Sequence, residues 1–261
     1  MDLATIGGLV VGVAAVLIGM MFKGVPLTAL NNPAAFFIIL AGTVGAVVIA
    51  FPLNELKTLP KLFGILMKNQ KYDTTEVIHQ LVGYAELVRK EGILALEPKI
   101  SEVTNPFLQR GLRMVTDGCA LEFIEEVMIE DLTAMETRHS ARASMFSQAG
   151  TYAPTLGVLG AVLGLIAAMS HMDDTEALGH AISAAFIATL LGIFTGYVLW
   201  HPFANKLKRK SKQEAVYKNI IIEGVLGLAD GTNPRMLLEK MLSYLPAQEK
   251  LAFAEGGRDR G

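Results

Sequence analysis

Four stretches of this chain contain no Asp, Glu, Lys or Arg: residues 3–22, 24–54, 143–172 and 177–205. Each can hold the ~20 apolar residues that cross the hydrocarbon core of a bilayer as a helix. Four transmembrane helices are therefore predicted, in an all-α integral membrane protein. Composition agrees, since 52% of the residues are hydrophobic and only 18% are charged, greasier than an ordinary soluble domain. The runs divide the chain into a transmembrane hairpin over 1–53 (spans 1 and 2), a polar helical domain over 54–142, a second hairpin over 143–205 (spans 3 and 4) and a tail over 206–261.

Orientation follows from the basic residues. Lys23 is alone in the loop between spans 1 and 2, and the loop "MDDTEALG" between spans 3 and 4 carries none; eleven lie between Leu53 and Ala143 and eleven more after Asn205. By the positive-inside rule the middle domain, the tail and both termini are cytoplasmic, and the two short loops face out. The cluster "NKLKRKSK" directly abuts span 4. The opening "MDLATIGGLVVG" lacks a basic n-region and a small-residue cleavage site, so it reads as a retained first span rather than a secretory signal. Cys119 is the only cysteine, which excludes an intrachain disulfide framework and suits a reducing interior. No Walker-type glycine loop, metal-ligand spacing or nucleophile–base cluster is visible, so no bound cofactor, metal site, catalytic residue or enzymatic activity is expected. A net charge of −2 gives no reason to expect a nucleic-acid partner.

Local signals organise the rest. The first hairpin turns through "KGVPLTALNNP", with Asn32 as cap and Pro33 in the first turn of span 2. Asp73 and Glu76 resemble a capping box, and Val77, Ile78, Leu81, Val82, Ala85 and Val88 recur at helical spacing until Gly92. A second helix is predicted over Pro106–Thr116, closed by Gly118. From Ala120 no breaker occurs until Gly150, so a cytoplasmic helix should run directly into span 3 and couple the two. Along it, Glu122, Glu125, Glu126, Glu130 and Asp131 come first. Arg138 and Arg142 lie nearest the membrane, where anionic lipid headgroups favour them; a solvated face with a basic collar also explains this grading.

An ionisable residue inside a span costs about 2.5–3.5 kcal/mol or more and usually marks a transport site. None of the four spans has a carboxylate or a lysine. The polar candidates are Thr151, Thr155, Ser183, Thr189, Thr195 and, near the ends, His171, His180 and His201, which read as interfacial. If the chain moves ions, the titrating group comes from another polypeptide. Span 3 places Ala153, Gly157, Gly160, Gly164 and Ala168 on one flank, and span 4 does the same with Ala181, Ala185, Ala188, Gly192 and Gly196. Helices can approach closely there, and close packing alone accounts for the G-x-x-x-G pairs Gly8/Gly12, Gly160/Gly164 and Gly192/Gly196. Pro154 is different, because it lacks an N–H and clashes with the carbonyl four residues back. The C=O of Gly150 is thereby expected to be free to hold a cation or a water, with hydroxyls of Thr151, Thr155 and Thr189 nearby; a merely tolerated kink is the alternative.

The run "TYAPTLGVLGAVLGLIAAMSHMDD…LGHAISAAFIATLLGIFTGYVLWHPFANKLKRKSK" resembles the MotA family of flagellar motor stator proteins within the MotA/TolQ/ExbB proton channel group, particularly its Bacillus-type members. "NPAAFFIILAGTVGAVVIAFP", "VRKEGILALE" and "YLPAQEK" share the likeness, which covers essentially the whole chain. The four-span plan with a large loop after span 2 favours MotA over the three-span ExbB and TolQ. The resemblance implies a channel-forming subunit in the bacterial cytoplasmic membrane, five copies surrounding two of MotB. MotB would supply the membrane aspartate and the peptidoglycan anchor.

It also implies that Arg89 and Glu97 contact the rotor protein FliG, that Pro154 borders the ion path, and that Pro234 in "GTNPRML" is a second functional proline. An exposed ion pair contributes only ~0–1 kcal/mol, which suits intermittent rotor contact, although both charges would also serve simply to solvate the loop or pair with Lys90 and Glu91. Sodium-driven relatives carry two adjacent threonines where this chain has Ala188-Thr189, so H⁺ is favoured over Na⁺ as the transported ion. An ExbB/TolQ-like energiser of a periplasmic partner and a passive scaffold are the competing readings.

Overall fold

The structure, a computed structural model, describes residues 2–69, 72–170 and 172–256. The chain divides into two compact units, one of residues 1–70 and 139–209, the other of 71–138 and 210–261. Among the described residues all regular structure is helical, and four of the helices are long and apolar enough to cross a membrane.

In the first unit α1 spans Leu3–Phe22 and α2 spans Pro33–Ala50. Asp2 caps α1, accepting from the Thr5 N–H, and Asn32 caps α2, accepting from the Ala35 N–H at 3.1 Å. The Asn32 amide also donates to the Ala184 carbonyl at 3.2 Å, so one side chain both starts α2 and ties it to the fourth span. The short α3 (Leu53–Leu56) and α4 (Leu59–Met67) follow. The third span is the second half of α8, Leu121–Met169, which continues unbroken through Pro154. The fourth begins at α9, Thr175–Phe194, capped by Asp174.

Apolar faces remain open on these helices: Leu3, Phe22 and Ile49 are each more than 80% exposed. A helix that is apolar all round is stable only where lipid or other helices replace water. Burial is confined to stripes, such as Ala35, Ile39, Thr43 and Val47 along α2.

In the second unit α5 (Thr74–Glu91) starts at Asp73, whose carboxylate accepts from the Glu76 N–H at 2.9 Å, and ends at Gly92, where φ is +87°. Glycine alone adopts that left-handed backbone without strain. The expected helix Pro106–Thr116 is α7, with the short α6 (Glu97–Ile100) before it. Ile78, Leu81, Leu112, Ile124, Ile220, Val225, Leu237 and Met241 are all fully buried in one core. At its edge the Tyr72 hydroxyl donates to Glu214 at 2.9 Å; burial first, then that bond, pushes the phenol well above its usual range.

Two boundaries differ from the sequence reading. The segment 54–69 belongs with the spans, because α4 buries Leu62 and Leu66 with Phe146, Ala204 and Leu207. The segment after 205 is no simple tail. The fourth span continues through a π-helical turn, Thr195–Trp200, into α10, His201–Ala229, and α11 (Pro234–Leu242) and α12 (Ala247–Gly256) follow. Its residues from Ala215 to Leu245 supply much of the second unit's core. The π turn has a local cause. Pro202 has no N–H to offer the preceding turn and its ring crowds it, and the His201 N–H reaches back five residues to the Gly196 carbonyl.

Candidate functional site

The small-residue flanks of spans 3 and 4 face each other. A Cβ added to Gly157 would stand 2.9 Å from both the Ala188 carbonyl oxygen and the Gly192 Cα; one added to Gly192 would stand 2.8 Å from the Ala153 oxygen and the Gly157 Cα. Both clashes are with backbone, so neither glycine can gain a side chain without forcing α8 and α9 apart. Gly196 is equally constrained, with the Pro154 ring 2.7 Å and the Gly150 oxygen 2.8 Å from its missing Cβ. Gly160 and Gly164 are looser, at 3.4 and 3.3 Å from the Cβ atoms of Ala188 and Ala185.

The Gly150 carbonyl, which Pro154 has no N–H to bond, has its oxygen 2.8 Å from the position of a Cβ at Gly196, and Gly150 itself is buried. A Cα–H offers such an oxygen a weak hydrogen bond. Ala188 likewise lies in the seam, 2% exposed with its Cβ toward Gly160. Thr151 and Thr155 are exposed and Pro154 and Thr189 are half-buried. Each threonine donates its hydroxyl proton to its own helix: Thr151 to the Ser147 carbonyl at 3.1 Å, Thr155 to that of Tyr152 at 2.7 Å, Thr189 to that of Ala185 at 3.3 Å. Their oxygen lone pairs remain available as acceptors. Thr195, also on the fourth span, is buried and bonded to the carbonyls of Leu191 and Gly192.

By sequence the histidines read as interfacial. His180 is exposed, 3.9 Å from Glu176, and His171 lies outside the described residues. His201 differs, because its imidazole occupies the space of the missing Cβ of Gly150, with three ring atoms 2.8–2.9 Å from it. The signal was present in the sequence as Pro202 inside an apolar run, which disturbs the helix at that point.

In the second unit Arg89 sits in the last turn of α5 and Glu97 opens α6, with Gly92 between them; both are exposed. Among the described residues neither forms an ion pair or a side-chain hydrogen bond, so the local pairing with Lys90 and Glu91 does not occur. Pro234 is buried at the first position of α11, capped by Asn233. The fold brings it to Arg89: a groove of about 630 Å³ is lined by Val82, Glu86, Arg89, Lys90, Pro234 and Arg235, among others. Glu97 is not among its lining residues. Nearby, a hydrogen bond to Glu223 at 2.7 Å raises the Lys240 ammonium above its ordinary value.

Four apolar spans, a seam stripped of bulk and no Asp, Glu, Lys or Arg within residues 3–22, 24–54, 143–172 and 177–205 define a polytopic membrane subunit built for close helix association. The chain belongs to the MotA/TolQ/ExbB proton channel family, which matches residues 99–219, and the Motility protein A N-terminal family matches residues 6–92. It is 57% identical to Motility protein A of Bacillus subtilis over 98% of this chain and 96% of that protein. It is 36% identical to Motility protein A of Helicobacter pylori over 98% of this chain and all of that one. The fold superposes on a solved structure of the flagellar MotAB stator complex from Bacillus subtilis with a TM-score of 0.90, covering 95% of this chain and 98% of that one at 57% identity.

Proposed function

We propose that this chain is the channel-forming stator subunit of a flagellar motor, coupling ion flow across the cytoplasmic membrane to torque on the rotor. The observation that carries the reading is the 0.90 TM-score at 57% identity to a chain of the MotAB complex, joined to spans that hold no carboxylate of their own. Five copies surround a MotB dimer, which contributes the membrane aspartate. H⁺ is the coupling ion: Thr151, Thr155 and Thr189 offer acceptor oxygens, the Gly150 oxygen is packed toward Gly196, and Ala188 stands where sodium-driven relatives carry a second threonine. A dehydrated Na⁺ wants several oxygens, and this set is sparse. Both termini and the second unit are cytoplasmic, with the basic residues after Asn205 on the side of the anionic lipid. The exposed, unpaired Arg89 and Glu97 meet the rotor protein FliG, and Pro234 shapes the groove beside Arg89. Neither a nucleic acid nor a bound cofactor takes part.

The test is swimming of a host lacking its own stator and supplied with this chain and its MotB. Pro154→Leu and Thr189→Val should abolish or severely slow swimming while co-purification with MotB persists. Charge reversal at both Arg89 and Glu97 should cripple torque without changing assembly. Normal swimming with both charges reversed would remove Arg89 and Glu97 from the rotor contact, whereas no swimming even with the unaltered chain would favour an energiser of the ExbB/TolQ kind, which drives a periplasmic partner and touches no rotor. Motility that persists on sodium alone, with the proton gradient collapsed, would overturn the ion assignment.

A further inference from the structure

We propose that the imidazole of His201 is a proton relay at the cytoplasmic end of the α8–α9 seam, taking the proton on one ring nitrogen and releasing one from the other to cytoplasmic water. The inference rests on the proton-path reading above and extends it to a residue that reading does not use.

Three observations converge on this side chain. First, Gly150 leaves vacant the volume the ring fills: Cδ2, Cγ and Cε1 of His201 lie 2.8, 2.8 and 2.9 Å from where a Cβ at 150 would be. Any other residue at 150 would displace the imidazole, so this glycine serves the histidine, one turn before Pro154 and directly before the exposed Thr151. Second, the ring is half-buried, and among the described residues its nitrogens have no hydrogen-bond partner, whereas the threonine hydroxyls of the same seam are all returned to their own helices. Third, its backbone is fixed by the π turn, through the His201 N–H to the Gly196 carbonyl, and Gly196 in turn packs on Pro154. The imidazole is thus held over Gly150, one turn of helix before Pro154, by its ring contact and by the π turn.

A neutral imidazole carries one N–H donor and one bare acceptor nitrogen, so a proton can arrive at one and depart from the other without rotation of the backbone. Titratable and charged groups lie on each element around it. On its own helix the Tyr197 ring lies 5.3 Å away. Lys206 is held by Asp2 at 2.5 Å and by Thr5 of α1. On α8 the packed residue is Gly150; Tyr152 beyond it and Arg142 two turns earlier are half-buried, and Lys61 of α4 and Lys68 just after that helix are exposed.

The experiment uses the complex of this chain with MotB as sole stator, in sodium-free medium at fixed membrane potential. Cytoplasmic pH is lowered with a permeant weak acid across about 8 to 5, the range in which histidines change charge. Wild-type speed should fall sigmoidally as a protonated His201 ceases to accept. His201→Gln should assemble, run several-fold slower and lose the sigmoid, and added imidazole should restore part of its speed. His201→Phe, which keeps a ring over Gly150, should behave like His201→Gln; full speed in His201→Phe would show that packing is the whole role and overturn the relay. A flat wild-type profile overturns it too, even if both variants fail to assemble. No wild-type swimming at any pH would instead sink the proton-path reading beneath it.

Discussion

At Gly157 and Gly192 the two helix backbones meet with no room for a methyl group, whereas Gly160 faces side chains alone, the Cβ of Ala188 at 3.4 Å and Ile38 at 3.8 Å. All three glycines look alike in the sequence, as members of one bare flank. Their substitutions should not be alike. Gly192→Ala forces overpacking against the Ala153 carbonyl and should cost about 1–3 kcal/mol. Gly160→Ala should be near neutral or slightly stabilising, since alanine is the better helix former by about 1 kcal/mol. Thermal unfolding of the detergent-solubilised complex with MotB would rank them, and equal losses at both positions would contradict the seam geometry. The same scale separates the polar residues. Thr151, Thr155, Thr189 and Thr195 all satisfy themselves locally, so what distinguishes them is exposure, which depends on the neighbouring helix.

Among the elements, the fourth span behaves least as expected. A helix of 55 residues, Thr175–Ala229, carries one π turn, and that turn sets the phase of everything beyond it. Each residue of an α-helix turns the chain by about 100°, so removing the extra π residue would swing His201 off Gly150 and Lys206 away from Asp2 and Thr5. Pro202→Ala restores an N–H and should let the turn relax to α. In a Thr5→Cys/Lys206→Cys background, cross-linking by a short bis-maleimide, which replaces the reach of the lost lysine side chain, should be efficient while Pro202 is present and weak once Pro202→Ala is added. Unchanged cross-linking would mean that packing, not proline, holds the turn. Pro154 has the milder effect, leaving α8 continuous. Its consequence falls on its neighbour, since Gly196 must stay bare to receive the ring.

For the whole molecule, the second unit draws its core from both chain segments that leave the spans. Ile220, Val225, Leu237 and Met241 from the segment after residue 205 pack with Ile78, Leu81 and Leu112 from the segment before 121. Truncation after Asp230 removes Leu237 and Met241 and should leave the rest of that core solvated. Limited proteolysis of membranes should then cut within 71–138, while the spans remain protected; resistance equal to the full chain would show that α11 and α12 are dispensable. The four spans, the caps at Asn32 and Asp73, the stops at Gly92 and Gly118 and the long α8 were all legible in the sequence, because each depends on local hydrophobicity or on backbone chemistry within a few residues. Which glycine meets which backbone, where the Gly150 oxygen goes, why Ala188 is covered, how Pro234 comes to Arg89 and what occupies the space over Gly150 were decided only by the tertiary fold. Those depend on distances between residues tens of positions apart, and no local pattern encodes a distance of that kind.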